Sequence, residues 1–202
     1  MPRRELDDDM LVKYLEKLAE NDAGAVLIAA SAGGGHLRTV DELDHWYRAS
    51  AKANVGTTVK VGLLRPEDTR EDNLRLIKTM KESGFECGFI RPGTDLPKGC
   101  ATDQEVADNM RPLVQMIGDA GLAVGCYSIS GVSGNQLTPD ALANLVSGKG
   151  GDKIAAVKVT ELDYESTTLK FLQHETLSHL KIVQGWDQNL CKAFIDGPKY
   201  DA

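Results

Sequence analysis

Lys158 and Tyr127 are the two side chains in this sequence best suited to covalent and proton-transfer chemistry. Lys158 lies inside the apolar run Ile154-Ala155-Ala156-Val157-Lys158-Val159-Thr160, which has the length and β-branched content of a strand buried on both faces. Lysine is almost never fully buried unless something pairs with it. Burial disfavours the ammonium form of a lysine, and a neutral amine attacks carbonyls and forms Schiff bases. The run therefore raises the chemistry of oxo compounds through a covalent imine. The plain alternative is an edge strand whose lysine reaches into water.

The spacing of apolar runs says what must carry these groups. Strands are expected at Ala25–Ser31, Thr58–Leu64, Cys87–Arg91, Leu122–Ser128, Lys153–Thr160 and Leu180–Gln184. Each is followed by a helix-like segment, which argues for a parallel α/β fold. Thr39-Val40-Asp41-Glu42 and Thr102-Asp103-Gln104-Glu105 read as capping boxes, and Thr138-Pro139 as an N-cap followed by proline at the first helical position. A further helix, roughly Asp9–Asn21, precedes the first strand. No linker or composition break divides the chain, so residues 1–202 are expected to form one domain.

Side chains alternate along a strand, which places Lys158 on one face with Ala156 and Ile154, and Tyr127 on one face with Gly125 and Ala123. Lys158 and Tyr127 both fall at the C-terminal ends of their strands. So do the turn Ser31-Ala32-Gly33-Gly34-Gly35-His36 and the segment Gly185-Trp186-Asp187-Gln188. Parallel α/β folds place their ligands at that end.

Composition narrows the partners. A net charge of −7 and a pI of about 5.1 do not suit a phosphate-tracking surface, so no nucleic acid is expected. No apolar run approaches the roughly 20 residues that span a bilayer, and the first nine residues hold no signal-peptide core. Cys87, Cys100, Cys126 and Cys191 lack metal-type spacing and read as free thiols, which suggests a cytoplasmic protein. His174 and His179, five apart, do not match helical metal ligands, so no metal site is expected. The glycine run 33–35 lacks Gly-x-Gly-x-x-Gly, and no acidic residue closes the next strand, which argues against a nucleotide cradle.

With these residues in order, the chain resembles the N-acetylneuraminate lyase and dihydrodipicolinate synthase superfamily, Schiff-base enzymes on a (β/α)8 TIM barrel. The resemblance runs from about Glu5 to about Gly197 and is strongest after Gly121. It rests on Tyr127-x-x-x-x-x-Ser133-Gly134, on Leu137-Thr138-Pro139 opening a helix, and on Lys158-x-Thr160-x-x-Asp163. It implies that Lys158 forms an imine with the C2 carbonyl of pyruvate and that Tyr127 relays protons. It places Ser31 near the hydroxyl pair that meets the pyruvate carboxylate. There the N–H groups of Gly33, Gly34 and Gly35, at a helix entry, are expected to form an anion nest. Thr160, Gly185 and Asp187 match positions around the hydroxylated part of the substrate, and Trp186 walls the pocket. No cofactor is implied beyond the covalent imine.

The expected activity is that of a lyase. It is a pyruvate-dependent class I aldolase making or breaking a carbon–carbon bond in a 2-oxo acid such as a 2-oxo-3-deoxy sugar acid, with an aldehyde as the other partner. Three departures shape the alternatives. The turn after the first strand lacks the family's acidic residue and carries His36. Arg91-Pro92-Gly93-Thr94 has no aromatic where the family often places one. Val132 stands where dihydrodipicolinate synthases carry an arginine, so aspartate semialdehyde is not the expected partner. A condensing enzyme of the dihydrodipicolinate synthase kind, or a sugar-acid dehydratase (a hydro-lyase), would use the same lysine. By comparison with the family, the sequence starts in the first helix and stops before the eighth strand. This makes an incomplete barrel of about six parallel strands, without the first and last, the expected architecture, and an inactive barrel fragment a further alternative. A homo-oligomer, dimer or tetramer, is implied by the resemblance.

Overall fold

The computed structural model describes residues 6–196. Six parallel strands form one sheet in simple sequence order, β1 Ala25–Ile28, β2 Val59–Leu64, β3 Cys87–Ile90, β4 Ala123–Ser128, β5 Ile154–Val159 and β6 Lys181–Gln184. The main helices are α1 Asp8–Glu20, α2 Val40–Ser50, α3 Arg70–Glu82, α4 Asp103–Asp119, α5 Ser130–Ser133, α6 Pro139–Val146, α7 Thr168–Gln173 and α8 Leu190–Asp196. All six expected strands form. β1 stops at Ile28, short of the expected Ser31, because Ala29 takes a left-handed φ of 60° and turns the chain.

The helices start where their caps put them. Thr39 and Thr102 each accept from the backbone three residues on, and Glu42 and Glu105 answer from the other side, so both capping boxes are complete. Thr138 caps α6 ahead of Pro139. The helices lie on one side of the sheet, where Leu43, Leu76, Met80, Met110, Ile117, Val124, Cys126, Val157 and Val159 belong to one large buried cluster. The opposite face holds a smaller cluster around Val61, Leu63, Cys87, Phe89, Tyr127 and Ile129. The sheet curls toward this second face, because Ser31 after β1 reaches Tyr127 on β4. The result is a curled half-barrel. Among the described residues, the outer edges of β1 and β6 pair with no further strand.

One expected face assignment is corrected. Ile154 packs in the helix-side cluster with Val157 and Val159, not beside Lys158. The register shifts between β4 and β5, so that Val124 faces Ile154 while Gly125 faces Ala156. The extra residue, Ala155, is a β-bulge. It reverses the parity of everything before it while leaving Ala156 and Lys158 on the inner face.

Candidate functional site

After the bulge, β4 and β5 run in register and set Tyr127 directly beside Lys158. The lysine Nζ stands 5.0 Å from the centre of the tyrosine ring, within the range of a cation–π contact. Tyr127 is buried. Its hydroxyl lies 3.2 Å from Ser31 Oγ and accepts from Thr160 Oγ1 at 3.3 Å. One phenol is thus held between hydroxyls from the ends of β1 and β5. Lys158 is half-buried, and among the described residues its amine has no hydrogen bond or ion pair.

Close packing fixes these positions. The floor beneath Tyr127 is Phe89: a Cβ at Gly125 would overlap its ring, so glycine is the residue that admits the aromatic there. At the end of β6, a Cβ on Gly185 would overlap Thr160 Oγ1 and lie 2.7 Å from Lys158 Cε. The Gly185 N–H donates to Val159 O at 2.8 Å, so this backbone is pressed against the lysine stem. A groove of about 530 Å³ runs between α1 and β1. Its walls include Tyr14 of α1, Leu27 of β1, Trp46 of α2 and Gly33, and Lys158 is the member of the pair that reaches it.

The remaining expected positions divide. The N–H groups of Gly33 and Gly35 donate to Ala30 O at 3.1 and 3.0 Å, and that of Gly34 to Ser31 O at 2.9 Å. All three are used to close the turn, so the expected anion nest is not offered, and the Ser31 hydroxyl is the polar group this turn contributes. Gly34 itself supplies a left-handed φ of 71°. Asp187 opens a short helical turn after β6 and is exposed. Trp186 is half-buried at the cap of that turn. Val132 packs against the inner cluster.

A second polar group lies across the mouth. Arg91 follows β3 and is buried, paired with Glu67 and donating to Pro92 O at 2.8 Å. Burial alone would push the Glu67 carboxyl up. The hydrogen bond and charge of Arg91, helped by Arg65, outweigh it and hold the group below its ordinary value. Arg65 is itself clamped by Asp68 at 2.7 and 2.9 Å. Desolvation, with the charges of Arg91 and Arg65, depresses the protonation of His36, whose Nδ1 is buried without a partner.

Sequence reasoning passed over one buried carboxylate altogether. Glu161 sits inside the Lys158-x-Thr160-x-x-Asp163 pattern at a variable position, yet it accepts three hydrogen bonds from Ser128 and Ser130. The signal was the pair of serines flanking Ile129, donors that need an acceptor when buried.

No family model matches the chain, and no curated protein matches it. Solved structures do. YagE, a prophage protein of the dihydrodipicolinic acid synthase family from E. coli K12, solved in complex with pyruvate, superposes with a TM-score of 0.80 at 14% identity. A putative dihydrodipicolinate synthetase from Pseudomonas aeruginosa gives 0.78 at 19%. Each match covers 96% of this chain and 63% of the other. A variant of the 2-keto-3-deoxygluconate aldolase from Sulfolobus solfataricus gives 0.76 at 13%, over 98% of this chain and 61% of the other. The fold is therefore that of the barrels of the dihydrodipicolinate synthase family, and the chain spans about three-fifths of their length.

Proposed function

We propose that the site performs Schiff-base chemistry on pyruvate, as a lyase or aldolase of a 2-oxo acid such as a 2-oxo-3-deoxy sugar acid. The observation that carries this reading is the Lys158 amine. It stands at the C-terminal end of a parallel strand, with no acid paired to it among the described residues, against a phenol oriented by two hydroxyls.

In this reading the Lys158 amine attacks the C2 carbonyl, and loss of water leaves the protonated imine. In the cleavage direction, the Tyr127 phenolate takes the proton of the C4 hydroxyl. The C3–C4 electron pair moves toward the iminium, an aldehyde departs, and the remaining enamine is protonated at C3. Hydrolysis of the imine then returns the amine and releases pyruvate. Ser31 and Thr160 orient the phenol and exchange protons with it. Ser31, with the Gly33–Gly34 turn behind it, meets the carboxylate of the keto acid. Thr160, Gly185 and Asp187 line the side where the hydroxylated chain extends. Val132 in place of an arginine favours a sugar-type aldehyde over one carrying its own carboxylate. A sugar-acid dehydratase would keep the imine and release water without pyruvate.

The open edges of β1 and β6 favour one other reading, a half-barrel that binds without turnover. Sodium borohydride added with pyruvate separates the two. A reduced pyruvyl adduct on the Lys158 peptide, found by mass spectrometry, supports the imine. Its absence in a cooperatively folded sample sinks it. Release of pyruvate from 2-keto-3-deoxygluconate then distinguishes cleavage from dehydration. We also retain a homo-oligomer in the cytoplasm as part of the proposal, with sedimentation as its check. Among the described residues, no helix is long and apolar enough to cross a membrane.

A further inference from the structure

We infer that Glu161 is a positioning residue that sets the Tyr127 phenol for proton transfer by bracing the ends of β4 and β5 from behind. The inference rests on the imine chemistry proposed above and adds a group to it.

The geometry has two faces. On the inner face Thr160 Oγ1 donates to the Tyr127 hydroxyl. On the backbone between, the Thr160 N–H donates to Ser128 O at 2.8 Å, extending the β4–β5 pairing past the strand ends. Ser128 follows Tyr127, so its side chain points to the opposite, helix-side face, where it is fully buried. There Ser128 Oγ donates to Glu161 Oε1 at 2.9 Å. The same oxygen accepts the Ser130 N–H at 2.8 Å, and Oε2 accepts Ser130 Oγ at 2.6 Å. Asn189, beyond β6, donates to the carbonyl oxygens of Glu161 and Leu162 at 3.3 and 3.1 Å.

Glu161 therefore joins the end of β4 through its carboxylate and the turn after β6 through its backbone carbonyl, next to the strand ends that carry Tyr127, Lys158 and Thr160. Glu161 is buried, and no lysine or arginine among the described residues pairs with it. A buried carboxylate is costly, and hydrogen bonds to its charged form are what hold it there. Such a group is a poor way to add stability, since an apolar residue would fill the volume at less cost. Its donors are instead the two serines that flank Ile129 in the segment following Tyr127. Losing the brace lets that segment shift, and general acid–base catalysis is lost when the proton carrier moves out of hydrogen-bond reach.

The test is a double-mutant cycle between Glu161 and Tyr127, with pyruvate trapping as a separate readout. Glu161→Leu removes both carboxylate acceptors at similar volume and keeps the backbone carbonyl that meets Asn189. It should lower turnover of 2-keto-3-deoxygluconate by about 50-fold while leaving borohydride trapping of pyruvate at Lys158 intact. In the Tyr127→Phe background the same change should cost less than about threefold, because the phenol it positions is already gone. If Glu161→Leu does not fold, Ser130→Ala takes its place. It should slow turnover about fivefold and show the same loss of effect in the Tyr127→Phe background. Turnover within threefold of the parent, multiplying effects, or trapping that falls in step with turnover overturns the positioning role. Absence of trapping in the unsubstituted protein overturns the proposed function and the inference with it.

Discussion

Lys60 and Lys158 are both lysines in apolar strands of the same sheet, at opposite ends and on opposite faces. Lys60 is the second residue of β2 and points toward the helices. It is buried, and its amine donates to Ser83 O at 2.5 Å and Ser50 O at 3.4 Å, the carbonyls that end α3 and α2. Desolvation lowers its pKa, while the donated hydrogen bonds keep it in place. A cation at helix C-termini is a structural device. Lys158 is less buried than Lys60, yet it has no acceptor at all among the described residues, only the face of Tyr127. What sets Lys158 apart from Lys60 is the absence of a satisfying partner among the described residues, and the proposed imine chemistry rests on that difference rather than on burial.

Substitution should split the two lysines cleanly. Lys158→Ala should abolish pyruvate trapping and turnover while shifting the urea midpoint little, because it leaves no buried acceptor unpaired. Lys60→Met should do the reverse. Two helix-end carbonyls lose their donor, at about 1–3 kcal/mol of stability in denaturant titration, with trapping at Lys158 unchanged in the folded fraction. A Lys60 variant that loses trapping, or a Lys158 variant that unfolds, would erase the distinction.

Gly185→Ala tests how tightly the mouth is packed. A methyl there meets Thr160 and the Lys158 stem. Turnover should fall about tenfold or more, since small misplacements of reacting groups cost that much. Normal turnover would mean that the lysine has room to move.

Acid should weaken the mouth in two stages. His36 protonates less readily in the folded protein than at its ordinary 6.5, so the unfolded chain takes up the proton first as pH falls. Its contribution is whole above pH 6.5 and declines below it. Glu67 is held below its ordinary 4.5, so its contribution is present above 4.5 and is lost as pH falls through the folded value. Urea midpoints between pH 7.5 and 3.5 should show both stages, and His36→Asn should remove only the first. The smallest effect concerns the thiols. Burial pushes Cys87 up to about 12, and Cys126 is buried too, whereas Cys100 and Cys191 are exposed. Iodoacetamide should label the exposed pair and spare the buried pair in native protein.

Much of this could be read in the sequence because periodic patterns survive without tertiary context. The six strands, both capping boxes and the helix-opening Thr138-Pro139 stand where local rules put them. Lys158 and Tyr127, singled out by type and by their place at strand ends, do lie side by side there. The β-bulge at Ala155 was not legible: it changes which residue faces which, and nothing in Ile154-Ala155-Ala156 marks the slip. The glycine turn was misread for a related reason, since a glycine run suggests free N–H groups, and only the folded backbone shows them spent on Ala30 and Ser31.

What the sequence by itself determined is the order of elements, the polarity of each face and the residue types at the C-terminal ends of the strands. Each follows from interactions among residues close in the chain. Tertiary structure decided which of those residues meet. The curl of the sheet brought Ser31 to Tyr127, the pairing of β2 with β3 put Arg91 beside Glu67, and a buried carboxylate at a variable motif position gathered Ser128 and Ser130. Those contacts span tens of residues. They form because a buried donor, acceptor or charge must find a partner wherever the packed sheet leaves one within reach.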